Sequence, residues 1–283
     1  PKYEEVRQRL VDGFRALFAE AAEMPGKELV GVSCEHRSFC FSNDGLDYIE
    51  KAKRLADIFG SDTKIIMIAR NQVDLIQSLY RESVRQGLVL TYAEYLDSLC
   101  KYEDRNFVYD FRFHEVYGLY AELFGEENVG LFFFENYKKP GESFLDVEGL
   151  SGDLCAFLGI DNPGLEFDHY NEAMSGAQLS RLIEINKENR HNLGNHLCSS
   201  AEFHRIRHYW TVELGLEMSE EEIYADVLRK RANIRHVQAI TTSEPYLSFD
   251  APAHLNEWLA SFYRASNLGL RERFPDLPGA YLL

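Results

Sequence analysis

At 283 residues the chain is long enough for one large domain or two small ones built on a real hydrophobic core. An apolar fraction of 45% and a charged fraction of 27% exclude wholesale disorder and fibrous repeats. Forty-six acidic residues against thirty basic ones leave a net charge of −16, a field that repels nucleic acid and anionic membranes. The same field disfavours a highly sulfated or phosphorylated polymer as substrate, except where basic residues cluster. No run approaches the roughly 18 apolar residues of a membrane span. The opening PKYEEVRQRL reads as neither signal peptide nor transit peptide, and Pro1 either follows a removed methionine or marks a cut. Cys34, Cys40, Cys100, Cys155 and Cys198 form an odd, scattered set without a C-x-x-C pair. That pattern argues against a disulfide framework or a zinc knuckle and for a reducing cytoplasm.

In chain order, Val6, Leu10, Phe14, Leu17, Phe18 and Ala21 recur at steps of three and four, predicting an amphipathic helix over residues 3–23. The apolar run Glu28 to Ser33 predicts a short strand. A second helix is expected over 46–59, ended by Gly60. Lys64 to Ala69 (KIIMIA) predicts an interior strand, continuously apolar and covered on both faces. Helices are expected over 73–86, closed by Gly87, and over 107–124. Val129 to Phe134 (VGLFFF) is the third predicted strand. This β-α-β-α-β order calls for a parallel sheet between helix layers. Beyond Leu154 the strands stop, and helices are expected over 176–190, 219–232 and 254–273, the middle one opened by a capping box of Ser219 and Glu222. No Pro/Gly/Ser linker separates the halves. The expectation is therefore one domain over 1–283, with an α/β core at 28–160 and a mostly helical cap at 161–283.

In an open parallel sheet, ligands bind outside the carboxyl ends of the strands. Polar residues appear abruptly at all three predicted ends: Cys34-Glu35-His36-Arg37, Arg70-Asn71, and Glu135-Asn136-Tyr137-Lys138-Lys139. At the second end, Arg70 leaves the strand and Ser78 follows eight residues later on the next helix. A guanidinium and a hydroxyl so placed can grip one phosphate through a forked donor and a further hydrogen bond. On spacing alone a surface arginine and a solvent-facing serine are the favoured explanation of the pair, because two-residue motifs are weak. Glu135 is expected to bind backbone or a basic side chain.

The whole string KIIMIARNQVDLIQSLYRESVRQG resembles the 3′-phosphate-binding segment of PAPS-dependent sulfotransferases, with Arg70, Ser78 and Tyr80 in register and Gln72 where proline is usual. NVGLFFFENYKKPGESFLDVEGLSGDLCAFLGI and the closing LNEWLASFYRASNLGLRERFP are similar to two further stretches of that family. The resemblance covers most of residues 28–160 and about the last thirty. It implies a three-layer P-loop-type fold and sulfuryl transfer from PAPS, leaving PAP, without a metal. In the carbohydrate-modifying branch a glutamate just after the first strand is the general base for the acceptor hydroxyl, a role that falls on Glu35. His36 beside it is the lesser candidate, because neighbours in an extended segment point opposite ways. The other reading of Glu35 is a carboxylate paired with Arg37 or Lys64 that fixes its loop.

One family feature is absent from the sequence. No Gly/Ser/Thr-rich loop for the 5′-phosphosulfate stands ahead of residue 28, and no Walker-type motif occurs, so a preceding segment carrying that loop is expected. The leading expectation is a cytoplasmic sulfotransferase acting on a carbohydrate or other small hydroxyl acceptor. The rivals are a sulfotransferase-like scaffold without donor chemistry and, less favoured, a P-loop kinase requiring Mg²⁺-ATP. Two further features have open readings. The basic run from Leu228 to His236 covers the nucleotide or is a solvated helix end. Tyr92, Tyr95, Tyr102 and Tyr109 form an acceptor platform or are core.

Overall fold

The computed structural model describes residues 2–23, 31–32, 47–85, 87–103, 106–138, 145–162, 164, 174–188, 219, 221, 225, 232–237 and 249–281. The expected strand over 28–33 and the helix over 219–232 lie largely outside these residues. The first helix, α1 (Lys2–Ala22), follows the apolar stripe read from the sequence. It is fastened to α2 (Tyr48–Phe59) by the Phe14 ring 4.8 Å from Phe59 and by Arg7, whose Nε lies 3.0 Å from the Asp57 carboxylate. Asp47 caps α2 by accepting from the Glu50 N–H at 2.7 Å, and Gly60 ends the helix at φ 84°, a conformation that favours glycine.

Two strands are present among the described residues, β1 (Ile65–Ala69) and β2 (Val129–Phe133), and they pair in parallel with Ile65 opposite Val129 and Ala69 opposite Phe133. Their connection runs through α3 (Gln72–Arg85), α4 (Tyr92–Lys101), a 3-10 turn at Phe107–Phe111 and α5 (Phe113–Phe124). The described residues are mostly helical with one small parallel sheet, consistent with the α/β class. After β2 come α6 (Val147–Leu158), α7 (Gly176–Glu188) and α8 (Ala253–Arg273), close to the bounds expected from the sequence. The expected helix over 107–124 divides: Arg112 breaks the ladder between the 3-10 turn and α5. The short helix α4 escaped the periodicity reading, although its capping box, Thr91 with Glu94, stands in the sequence.

The prediction that both faces of β1 are covered is corrected. Alternation sends Ile65 and Met67 toward the core of α2 and α5, where Ala52, Val116, Tyr120, Phe124 and Val129 are buried. Ile66 and Ile68 point the other way and remain 40% and 50% exposed. On that face α6 covers β2 through Phe157, whose ring sits 6.0 Å from Phe132. Beside β1 the Phe157 carbonyl accepts from the Lys64 ammonium at 2.5 Å, and Ile66 and Ile68 are only partly covered.

The residues divide into two units, one from 1–71, 103–168 and 261–283, the other from 72–102 and 169–260. The sheet and the α2–α5 core belong to the first. In the second, α3 packs on α7, and the Asn186 amide donates to the carbonyls of Val84 (2.8 Å) and Leu88 (3.0 Å). Tyr80 is fully buried there, its ring 5.3 Å from both Tyr92 and Tyr95 and its hydroxyl donating to the Leu90 carbonyl at 2.9 Å.

Burial pushes the Tyr80 and Tyr92 hydroxyls up to about 12. Below about pH 10 folded and unfolded chains both keep these protons. Between about pH 10 and 12 the unfolded chain loses them first, so stability falls as pH rises, by up to about 1.4 kcal/mol for each group as the pH climbs by one. Denaturant unfolding across that window is expected to show the fall, and the double variant Tyr80→Phe, Tyr92→Phe should flatten it. Equal slopes in variant and parent would contradict the assignment.

Candidate functional site at the carboxyl ends of the strands

The parallel register that sets Ala69 beside Phe133 brings the two following segments, Arg70-Asn71 and Phe134–Lys138, to the same end of the sheet. They are joined there by Glu135. Its Oε1 accepts the Asn71 backbone N–H at 2.9 Å, so the expectation that Glu135 binds backbone holds. The same carboxylate lies 4.0 Å from the Lys138 ammonium, and its side chain is only 9% exposed. The Asn71 side-chain amide donates to the Ala280 carbonyl, tying this end to the 3-10 turn Gly279–Tyr281. That turn is held in place by Asn267, whose amide donates to the Tyr281 carbonyl at 2.6 Å, and by the Tyr281 ring 5.4 Å from Phe133.

The turn after β2 is braced from the other side. Tyr137 donates its hydroxyl to Asp153 at 2.7 Å, and its carbonyl accepts the Asp146 N–H at 2.6 Å. Burial first, and then the Asp153 hydrogen bond, push the Tyr137 hydroxyl well above its ordinary range, so it serves as a fixed donor. Lys138 forms an antiparallel bridge with Leu145. The backbone on which the site side chains stand is thus pinned by bonds to α6 and to the C-terminal turn.

Two polar atoms at this end are buried and lack a hydrogen-bond partner among the described residues: Arg70 Nε and Glu135 Oε2. The Arg70 guanidinium carbon lies 5.2 Å from the centre of the Phe134 ring, which holds the head group beside the strand end. A buried, unsatisfied N–H of a charged fork costs stability. It also suits an anion, because Nε–H and one terminal N–H together form one edge of the guanidinium and can bind two oxygens in parallel. Carboxylates and phosphates are the groups such an edge fits.

Arg70 therefore stands where the sequence placed it, at the tip of β1. Ser78 lies in the second turn of α3, partly buried, and belongs to the second unit. Tyr80 is a core residue. Glu35 and His36 lie outside the described residues, as do the histidines between 191 and 218 and residues 228–231 of the basic run, whose Arg235 and His236 are helical and exposed. Tyr92 and Tyr95 take the core reading and Tyr109 packs 5.1 Å from Phe262, while Tyr102 is exposed. What the sequence reading missed at the site is Phe134, read only as strand. The signal was an aromatic residue at the last apolar position before a run of polar ones.

Among the described residues no group of three or more His, Cys, Asp or Glu side chains gathers at metal-binding distance, and no helix is long and apolar enough to cross a membrane. No protein-family profile, no curated protein and no solved structure matches this chain.

Proposed function

We propose that the protein is a sulfotransferase that moves a sulfuryl group from PAPS to a hydroxyl, on a carbohydrate or similar small acceptor, within a P-loop-type three-layer fold and a reducing cytoplasm. The observation that carries this reading is Arg70, a guanidinium at the carboxyl end of a parallel strand with its buried Nε lacking a partner among the described residues. Such a group matches the 3′-phosphate contact that the sequence resemblance assigns to it. Ser78, eight residues on, is assigned by the same resemblance the second hydrogen bond to that phosphate.

When bound, PAPS supplies the sulfuryl group, whose bond to the 5′-phosphate oxygen breaks as a bond to the acceptor oxygen forms. The protein's own residues bind, orient and accept a proton. Arg70 holds the nucleotide by its ribose phosphate and fixes its register along the strand ends. Glu35 takes the proton of the acceptor hydroxyl, with His36 as the alternative base. The negative charge of the whole chain makes a local cationic group at the strand ends necessary for any anionic donor.

The test is calorimetric titration of the purified protein with PAP, and with Mg²⁺-ATP as the competing ligand. PAP binding in the micromolar range, worth about 8 kcal/mol, is the expected result. Binding of Mg²⁺-ATP with turnover, and none of PAP, would replace this reading with a kinase. Binding of neither would leave a scaffold protein.

A further inference from the structure

Helix α1 presents two neighbouring stripes, and only one of them is covered. Tyr3, Arg7, Phe14 and Phe18 form the covered one: the Tyr3 hydroxyl donates to the Asp57 carboxylate at 3.1 Å, and the Phe14 and Phe18 rings lie 4.8 and 6.5 Å from Phe59. Beside it, Val6, Leu10, Gly13 and Leu17 fall within about 60° of the helix circumference at 3.6 residues per turn. Val6, Leu10 and Leu17 stay 50%, 42% and 51% exposed. One such residue alone on a surface is ordinary, but three aligned on one helix leave a continuous apolar strip in water. Gly13 in the middle of that strip is also unfavourable, since glycine inside a helix is less stable than alanine. A methyl group there would meet nothing within 4 Å, so packing inside the chain does not account for the glycine.

We infer that this strip is a self-docking surface, closing on the same strip of a second copy with the two α1 helices antiparallel. The spacing carries it: intervals of four, three and four read alike in both directions along the chain. A two-fold axis between Val11 and Asp12 sets Val6 over Leu17 and Leu10 over Gly13. Each Leu10 then fills the gap left by the glycine of the other copy, an isologous contact of large residue on small. Charge fixes the direction. On one flank Arg9 comes level with Phe14 of the second copy, two residues or about 3 Å of rise from its Asp12. With the helices parallel, Arg9 would instead approach Arg7, a like charge. Glu5 and Glu20 oppose each other across the same flank of the antiparallel pair, and each copy carries a net charge of −16. The association is therefore weak and reversible, held by the apolar strip, and tightens as salt screens the repulsion.

The experiment is sedimentation of the intact protein across the micromolar range, where the parent is expected to form dimers. Leu10→Gln should weaken the dimer roughly 30-fold, because its burial is lost twice across a two-fold. Leu10 is exposed in the single chain, so this variant should keep the parent's melting temperature in dilute solution. Gly13→Ala separates docking from a merely structural role: alanine favours the helix, so the melting temperature of dilute protein should hold or rise while the dimer weakens. Arg9→Asp and Asp12→Arg should each weaken the dimer singly and restore it together, a rescue that the parallel pairing does not give. A monomer at every concentration overturns the inference, and so does a dimer indifferent to Leu10→Gln and Gly13→Ala. A monomer that binds phosphatidylcholine vesicles through Leu10 overturns it as well and makes the strip a membrane-docking face. PAP affinity plays no part in these readouts, so every outcome leaves the nucleotide reading as it stands.

Discussion

Arg70→Ala is expected to weaken PAP binding by about 10- to 100-fold, since a hydrogen bond to a charged group contributes about 1.5–3 kcal/mol. The same variant should lose none of its thermal stability. In the unliganded protein the Arg70 Nε is buried without a partner among the described residues, and removing an unsatisfied donor relieves a cost. A drop in affinity together with an unchanged or raised melting temperature is the signature of a group kept for a ligand. Arg70→Lys keeps the charge but loses the planar edge, and should fall between parent and alanine. Calorimetry and thermal unfolding on the same preparations read both quantities. Parent-like PAP affinity in Arg70→Ala would end the phosphate assignment, and a large fall in melting temperature would make Arg70 a structural residue.

The largest stability effect is expected at Phe124. Its ring is 1% exposed and stacks on Tyr120 at 5.9 Å and 11°, in the cluster that also buries Val116, Tyr117 and Val129 beneath the sheet. Phe124→Ala removes that ring from a site closed by α2 on one side and β2 on the other, and should cost about 3–5 kcal/mol. Against a net stability of about 5–15 kcal/mol for a domain, that is enough to leave the protein marginal at growth temperature. Urea unfolding at constant slope measures it. A loss under about 1 kcal/mol would mean that the cavity collapses and the cluster is looser than its geometry implies. Because Phe124 is at the base of the layer that carries β1 and β2, PAP affinity is expected to hold wherever the variant remains folded.

Much of this was legible in the residues. The stripe of α1, the Asp47 and Gly60 signals around α2, and the apolar runs of β1 and β2 are local patterns with periods of 3.6 and 2, and local patterns survive without knowledge of the partner. Polar residues following each apolar run marked the strand ends as the place to look, and Arg70, Asn71, Glu135 and Lys138 are all in those segments. Coverage of β1 was misread because a continuously apolar run says only that no face is hostile to burial. Whether something lies on Ile66 and Ile68 depends on how far α6 reaches, and Phe157 reaches Phe132. The division into two units was equally hidden, since residues 72–102 join partners more than sixty positions away.

The sequence by itself determined most of the described helices, the two described strands and the polar character of the segments that follow them, because propensity, capping and alternation act over a few neighbouring residues. Only the tertiary structure decided that Glu135 holds the Asn71 backbone across 64 positions, that the C-terminal turn meets Asn71 across 209, and that Arg70 and Lys138 share one aromatic ring. Such contacts arise when a parallel register aligns two segments distant in the chain, and no short-range periodicity encodes that alignment.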